Sequence, residues 1–393
     1  MKVMILGAGI YQLPLIKKAK MMGHEVYVVS PSGDYPGIKE ADCWIDSDTR
    51  DKDYILTQAK KYSVDGVVTT GTDVAVPTIG HLVDNMGLSG TGYEASITSM
   101  DKTLMKKSFV DHGVNTAEFI LVSSVDELHD AAKELGLPVM VKAVDSSGSR
   151  GISKVTSFLD MNEAYKESLK VSNSKYVIVE KFLEGKEIGA QVVVGNNEVK
   201  HVFLHDDIVT PPPVSVPIGH SMPLQIDVKL QKEIRNQIEL AIDAIGIKNT
   251  ISNVDIMMVG SKPYLLEIGA RMGATCLPEN VTIYSGHDIY ELLVLECLGK
   301  KTEIVVSSAG QPNAALLIIS HRSGKIKRIH IPKVVNENRW LDSISIDKSV
   351  GDNVNEFKVG PDRIGQIIVR GRSSEHAIEI AKRIRDDIII EVE

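Results

Sequence analysis

The chain has 393 residues, enough for two or three domains, and its 43% hydrophobic and 24% charged content is an ordinary globular balance. A formal charge of −8 gives no basis for nucleic-acid binding, no apolar run approaches transmembrane length, and Cys43, Cys276 and Cys297 show neither metal spacing nor an even disulfide framework. MKVMILGAG enters a strand at once without a long apolar leader, so the expectation is a cytoplasmic enzyme, with no nucleic-acid or membrane partner.

Residues 2–6 form a buried strand running into Gly7-Ala8-Gly9. A helix over Tyr11–Met22 and a strand over His24–Ser30 complete a βαβ unit. A strand at Gly66–Thr70 and a helix around Val76–Met86 extend it to a Rossmann-like half of about 95 residues. The glycine pair is not a dinucleotide fingerprint. Gln12 stands at the third glycine position, and the second strand ends in Ser30-Pro31 rather than an acid. Gly7 reads as a tight strand-to-helix turn, which argues against an NAD-dependent oxidoreductase.

A helix begins near Met100, and another follows within Leu121–Gly136 behind the capping signal Ser123-Ser124. Strands are predicted at Val139–Val144 and Tyr176–Val179, with Glu187–Val194 as a third strand of the same small sheet. Lys142 ends an apolar strand and precedes a Ser/Gly-rich loop, Asp145–Gly151. Small residues let backbone N–H groups close on phosphate oxygens, and the lysine adds a charge; a plain polar turn is the alternative. Glu180 and Lys181 end another apolar strand, where an acid beside backbone donors and acceptors suits an adenine edge. Residues at a solvated strand end would look the same.

The proline-rich segment His205–Pro223 is expected to be a long irregular loop, and such loops are usually functional. A helix over Val228–Ile245 precedes Asp255–Val259 and Pro263–Ile268, two strand-like runs around Gly260, Ser261 and Lys262. Folding about Ser261 sets Asp255 opposite Glu267. Directly opposed like charges, about 4.5–5.5 Å apart at Cβ, are destabilising. With apolar neighbours such as Ile256, Met257 and Leu265, the pair calls for a cation, and hard oxygen ligands suit Mg²⁺ bridging to phosphates. Beyond Lys301, strands near Asn313–Ser320 and Gln366–Val369 and a helix near Ser374–Asp386 form a small α+β end.

Taken in order, Asp101-Lys102 on a helix, Lys142 with its Gly/Ser loop, Glu180-Lys181-x-Leu183, Asp255 and Glu267-x-x-x-Arg271 resemble the ATP-grasp superfamily, in its biotin carboxylase-like and carbamoyl-phosphate-synthetase-like branch. The resemblance covers nearly the whole chain. It implies a multidomain α/β and α+β protein: a Rossmann-like pre-ATP-grasp domain at 1–97, an ATP-grasp domain at 98–300 with a lid subdomain at about 115–190, and a C-terminal α+β domain at 301–393. Carried over residue by residue, it makes Lys102 and Lys142 phosphate contacts and Ser146, Ser147, Gly148, Ser149 and Gly151 part of the lid. Glu180 becomes the adenine amino-group acceptor, with Lys181 and Leu183 along the base, and Glu187 holds the ribose. Asp255 and Glu267 become ligands of Mg²⁺ (or Mn²⁺), and Arg271 lies near the transferred phosphoryl group or a substrate carboxylate. Gly269 departs from the family, which usually has an Asn ligand there; Asn253, opposite it in the hairpin register, is the candidate to compensate.

LEIGARMGA and PPPVSVPIGHSMP resemble the carboxylate–amine (L-amino-acid) ligases, with His220 in a matching GH. That implies an ATP-dependent ligase, catalysed with Arg271 and Lys142, joining a small carboxylate to an amine through an acyl phosphate. His220 and Arg271 are the candidate substrate contacts, although a loop histidine is as often merely solvated. The family's frequent acid is Pro217 here. GAGIYQLPLIKKAK resembles instead the bicarbonate-activating carboxyaminoimidazole synthetases, and a non-catalytic ATP-binding protein is the other alternative. Relatives of this type are commonly dimers, so a homodimer is an expectation.

Overall fold

The computed structural model describes residues 1–146, 148, 150–210, 216–304 and 310–393. The contacts group into two compact units. The first comprises Met1–Val202, Ile226–Met272 and Leu293–Thr302; the second comprises Phe203–Gln225, Gly273–Leu292 and Glu303–Glu393. The second unit therefore takes in 203–225 and 273–292, which the sequence reading placed within 98–300. Among the described residues, no helix is long and apolar enough to cross a membrane.

Within the first unit, four parallel strands lie in the order Cys43–Asp46, Glu25–Ser30, Lys2–Leu6, Gly66–Val68. Their near-continuous apolar runs follow from burial of a parallel sheet on both faces, and Met4, Leu6, Val29, Ile55 and Leu82 share its core. Gly7 takes φ +101°, and Gln12 folds back over this turn, accepting from the Gly9 N–H at 2.9 Å. A Cβ on Gly7 would lie 3.0 Å from the Gln12 side chain. The residue that breaks the dinucleotide fingerprint thus fills the space above it.

A second, antiparallel sheet has the order Phe119–Val122, Val177–Lys181, Val139–Ala143, Ile152–Val155. The helix Val125–Leu135 packs on it through Leu128, Ala131 and Ala132. Ser124 caps this helix by accepting from Glu127 N–H, while the Glu127 carboxylate accepts from Ser123 N–H at 2.6 Å. The strand expected to be the third of this sheet lies elsewhere. Lys186–Gly195 does not join this sheet; it pairs antiparallel with Thr250–Val259, from Thr250↔Val194 to Met258↔Lys186. The apolar alternation of this strand fits either sheet, and only long-range pairing decides.

Thr250–Val259 and Lys262–Gly269 form the predicted hairpin, joined by Gly260-Ser261 rather than by three residues. Val259 pairs with Lys262, and a bulge past Asp255 then shifts the register so that Asp255 faces Glu267 and Asn253 faces Gly269.

The second unit pairs residues of Glu198–Val209 with Pro217–Met222, and continues through Asn313–Ile318 and Gly365–Arg370 to Leu341–Ile346. The helix Ser374–Asp387 covers this sheet with Ala377, Ile380 and Ile384 against Leu316 and Ile367. The expected loop at 205–223 is therefore mostly a hairpin. Pro217 is tolerated because it is the first residue of its strand; Pro211, Pro212 and Pro213 lie outside the described residues.

Candidate nucleotide site

Asp101 caps the helix Lys102–Asp111, its carboxylate accepting from the N–H groups of Thr103 and Leu104 at 2.8 and 3.0 Å. This cap fixes Lys102 in the first turn. The Lys102 ammonium is 4% exposed, donates to the Ser146 carbonyl at 2.7 Å and sits 3.2 Å from Glu267. Burial pulls its pKa down, but the charge and hydrogen bond of Glu267, joined by the charges of Asp73 and Glu180, together outweigh that and hold it above the usual lysine range.

One turn further on, Lys106 is fully buried. It lies 3.3 Å from Glu180 Oε2 and donates to Thr116 Oγ1 at 2.7 Å. Lys142 reaches the same Glu180 oxygen at 2.9 Å from the neighbouring strand, where Met140 is the direct partner of Glu180. Burial pushes the Glu180 carboxyl up; Lys142 and Lys106 together override this and keep it below the usual carboxylate range. Its second oxygen, Oε1, is buried without a partner among the described residues.

Glu267, on the hairpin, faces Asp255, which accepts from Asn253 Nδ2 at 2.9 Å; Asn253 in turn accepts from Gln191 at 2.6 Å. A Cβ at Gly269 would meet Asp73 Oδ1 at 3.6 Å and Arg271 at 3.7 Å, ordinary contact distances, so the position beside the acids is open. The two carboxylates are hard oxygen donors that fit a cation such as Mg²⁺, and Asn253, whose amide is engaged by Asp255 and Gln191, aligns one of them. Asp73, just past the strand Gly66–Val68, clasps Arg271: Nε is 2.7 Å from Oδ1, and Nη2 donates to Oδ2 at 3.0 Å. Burial lowers the Arg271 pKa, but Asp73, together with the charges of Asp255 and Glu267, more than restores it.

Other expected residues are placed less centrally. The Lys181 side chain is exposed and pairs with Glu118 at 3.5 Å, leaving its backbone as what the slot could use. Leu183 is half-buried in the segment after that strand. Glu187 is exposed on Lys186–Gly195, opposite Met257. Ser146 is buried and Gly148 exposed; Ser147 and Ser149 lie outside the described residues. Gly151 anchors the end of the loop at φ +67°, its carbonyl accepting from Ala143 N–H and from Ser168 Oγ. A Cβ there would come within 2.4 Å of Val171 Cγ2. Gly151→Ala is therefore expected to destabilise the protein by about 1–3 kcal/mol, read as a lower urea midpoint; an unchanged midpoint would show that the loop relaxes freely.

In the second unit, His220 is 3% exposed and directly opposite Asp207, not solvated. Its Nδ1 is 2.6 Å from Asp207 Oδ1, and His205 Nδ1 is 2.8 Å from the same oxygen. Both are hydrogen-bond lengths, so the two imidazoles meet on one carboxylate oxygen. Burial lowers the pKa of His220 despite Asp207. Arg363 is tied to Asp347 and Gln366, and Arg322 to the Val392 carbonyl. Cys276 is buried against Gln366, and burial raises its thiol pKa, as fits a packing cysteine. A separate cleft of about 660 Å³ in the first unit is lined by none of the candidate nucleotide residues.

A family model described as an ATP-grasp domain matches residues 99–275, and one described as L-amino acid ligase C-terminal domain 2 matches residues 316–393. The alanine–anticapsin ligase of Bacillus subtilis (strain 168) is 23% identical over 275 residues, covering 64% of this chain; the chain spans 57% of that relative's length. Over its full length the chain is similar to the solved phosphoribosylglycinamide synthetase of Anaerococcus prevotii, at 30% identity and TM-score 0.83, covering 99% of that chain. The L-amino acid ligase of Bacillus licheniformis shares the fold, with TM-score 0.86 at 18% identity over 100% of this chain and 98% of its own. The chain belongs to the ATP-grasp superfamily.

Proposed function

We propose that the chain is an ATP-dependent carboxylate–amine ligase that passes the γ-phosphoryl group of ATP to a carboxylate oxygen. An amine then attacks the acyl phosphate, losing a proton as the carbon–nitrogen bond forms and phosphate leaves. The observation that carries this reading is the buried cluster in which Lys102, Lys106 and Lys142 meet Glu180 and Glu267. Phosphoryl transfer is dominated by positioning and charge neutralisation rather than by a protein nucleophile, and this cluster is built for those tasks. The buried thiols are poor nucleophiles: burial raises Cys297 to about 12 and Cys276 further. The names of the similar proteins, an alanine–anticapsin ligase, an L-amino acid ligase and a phosphoribosylglycinamide synthetase, agree with amide formation.

In this reading Lys102 and Lys142 bind phosphate oxygens, and the bare Glu180 Oε1 accepts from the adenine amino group. Lys181 and Leu183 offer backbone along the base, and Glu187 the ribose contact. Ser146 and Gly148 would face the phosphates, with Gly151 anchoring the end of their loop. Asp255 and Glu267, with Asn253 aligning Asp255, would hold Mg²⁺ or Mn²⁺, which when bound supplies neutralisation of phosphate charge. Arg271, preset by Asp73, has the fork geometry to pair with a carboxylate. The His220 cluster, on the second unit, is the candidate contact for the amine or acid substrate.

Hydroxylamine trapping tests the acyl phosphate. With ATP, Mg²⁺ and a carboxylate substrate, the expected products are a hydroxamate, ADP and phosphate in equal amounts. ADP formation without hydroxamate across a broad set of carboxylates would contradict the mechanism.

A further inference from the structure

Lys106 is a fully buried lysine on the same helical face as Lys102, four residues on; it belongs to the charged cluster but makes none of the nucleotide contacts proposed for Lys102 and Lys142. Its ammonium is held at two points. Thr116 Oγ1 accepts from it at 2.7 Å and itself donates to the Leu265 carbonyl of the hairpin at 2.8 Å; Glu180 Oε2 lies at 3.3 Å. Lys142 approaches that same oxygen from a different element. Two cations from separate elements on one oxygen fix the torsion of the carboxylate, and the arrangement leaves Oε1 as a buried acceptor with no donor among the described residues. A buried, unpartnered carboxylate oxygen is unfavourable unless a ligand supplies a donor. Removing Lys106 would leave one cation, free to be shared between both oxygens.

We infer that Lys106 is a base-specificity residue: by pinning Glu180 Oε2 it reserves Oε1 for a purine bearing a 6-amino donor, and so selects adenine over hypoxanthine nucleotides. A 6-oxo purine presents an acceptor to the same oxygen, which is repulsive as well as unpaired. The burial that draws Lys106 down to about 8 marks an ammonium kept charged chiefly by Glu180. Lys106 acts through Glu180, so it is a positioning residue. The inference rests on the reading of the first unit as an ATP site.

The test is calorimetric binding of ADP and IDP, each with Mg²⁺, to the full chain and to Lys106→Met. Wild-type protein is expected to prefer ADP by about 10–100-fold, the worth of one hydrogen bond to a charged acceptor. In Lys106→Met the preference is expected to fall to about threefold or less, with IDP affinity little changed. Lys106→Arg should restore part of it. Should Lys106→Met not fold, Thr116→Val, which removes the hydroxyl anchor and keeps both charges, is expected to narrow the preference in the same direction. An unchanged ADP/IDP ratio in folded Lys106→Met, or in Thr116→Val where only that variant folds, would overturn the inference while leaving the ATP site standing. Wild-type protein that binds neither nucleotide would overturn the ATP reading, and this inference with it.

Discussion

Glu267→Gln should lower Mg²⁺-dependent ATP turnover by about 10²–10³-fold, the scale on which single charge-stabilising groups act. Two losses coincide in this one carboxylate. It faces Asp255 across the hairpin rung, and it lies 3.2 Å from the buried Lys102 ammonium. The glutamine keeps the shape and an oxygen but offers no negative charge to a divalent cation. Turnover falls for that reason, and the affinity for Mn²⁺ in the presence of ADP, followed by electron paramagnetic resonance, is expected to fall with it. Nucleotide binding in excess chelator should change far less, because Glu180 and Lys142 are untouched. Turnover and Mn²⁺ affinity within about threefold of wild type would rule out Glu267 as a metal ligand.

Glu180→Gln is expected to cost about 3–5 kcal/mol of stability, the range for breaking a buried ion pair from one side. Glu180 is 1% exposed and answers two buried lysines at once. The variant leaves Lys106 and Lys142 facing each other without an anion. The sign of the pH dependence follows from Lys106, which burial holds at about 8 even with Glu180 present. An unfolded lysine titrates near 10.4, so above its folded pKa the unfolded state binds more protons and stability rises with pH. Loss of Glu180 lowers the folded value further, so that rise begins at a lower pH in the variant. Its deficit relative to wild type is therefore greater at about pH 6 than at about pH 8, and it shrinks again at strongly acid pH, where protonation of Glu180 removes the advantage of wild type. Urea midpoints at about pH 6 and about pH 8 check this; a constant or widening deficit would show that Lys106 does not carry its charge against Glu180.

The most local features were the most legible in the sequence. The hairpin turn is written in Gly260-Ser261 between apolar runs, and the register Asp255↔Glu267 followed from it, although a bulge past Asp255 rather than a three-residue turn produces it. Pairings between distant segments were not legible. Lys186–Gly195 has an alternation that suits any half-buried sheet, and prolines disguised the two strands around residues 211–215. Lys106 was hidden by composition, since in KTLMKKS it resembles its neighbour Lys107. Its spacing from Lys102 by one helical turn was the available signal. Asp73 became recognisable only when the fold brought the loop after Gly66–Val68 to Arg271. His205 and Asp207 carried an alternation, H-x-D, whose meaning depended on His220 falling opposite Asp207.

Release of phosphate from ATP across a matrix of carboxylates and amines tests the ligase reading most directly. The expected result is Mg²⁺-dependent phosphate and ADP release that requires a specific carboxylate together with a specific amine, with an amide formed in equal amount. Stimulation by bicarbonate alone would place the chain with the carboxylases, and nucleotide binding without turnover under any pairing would contradict catalysis.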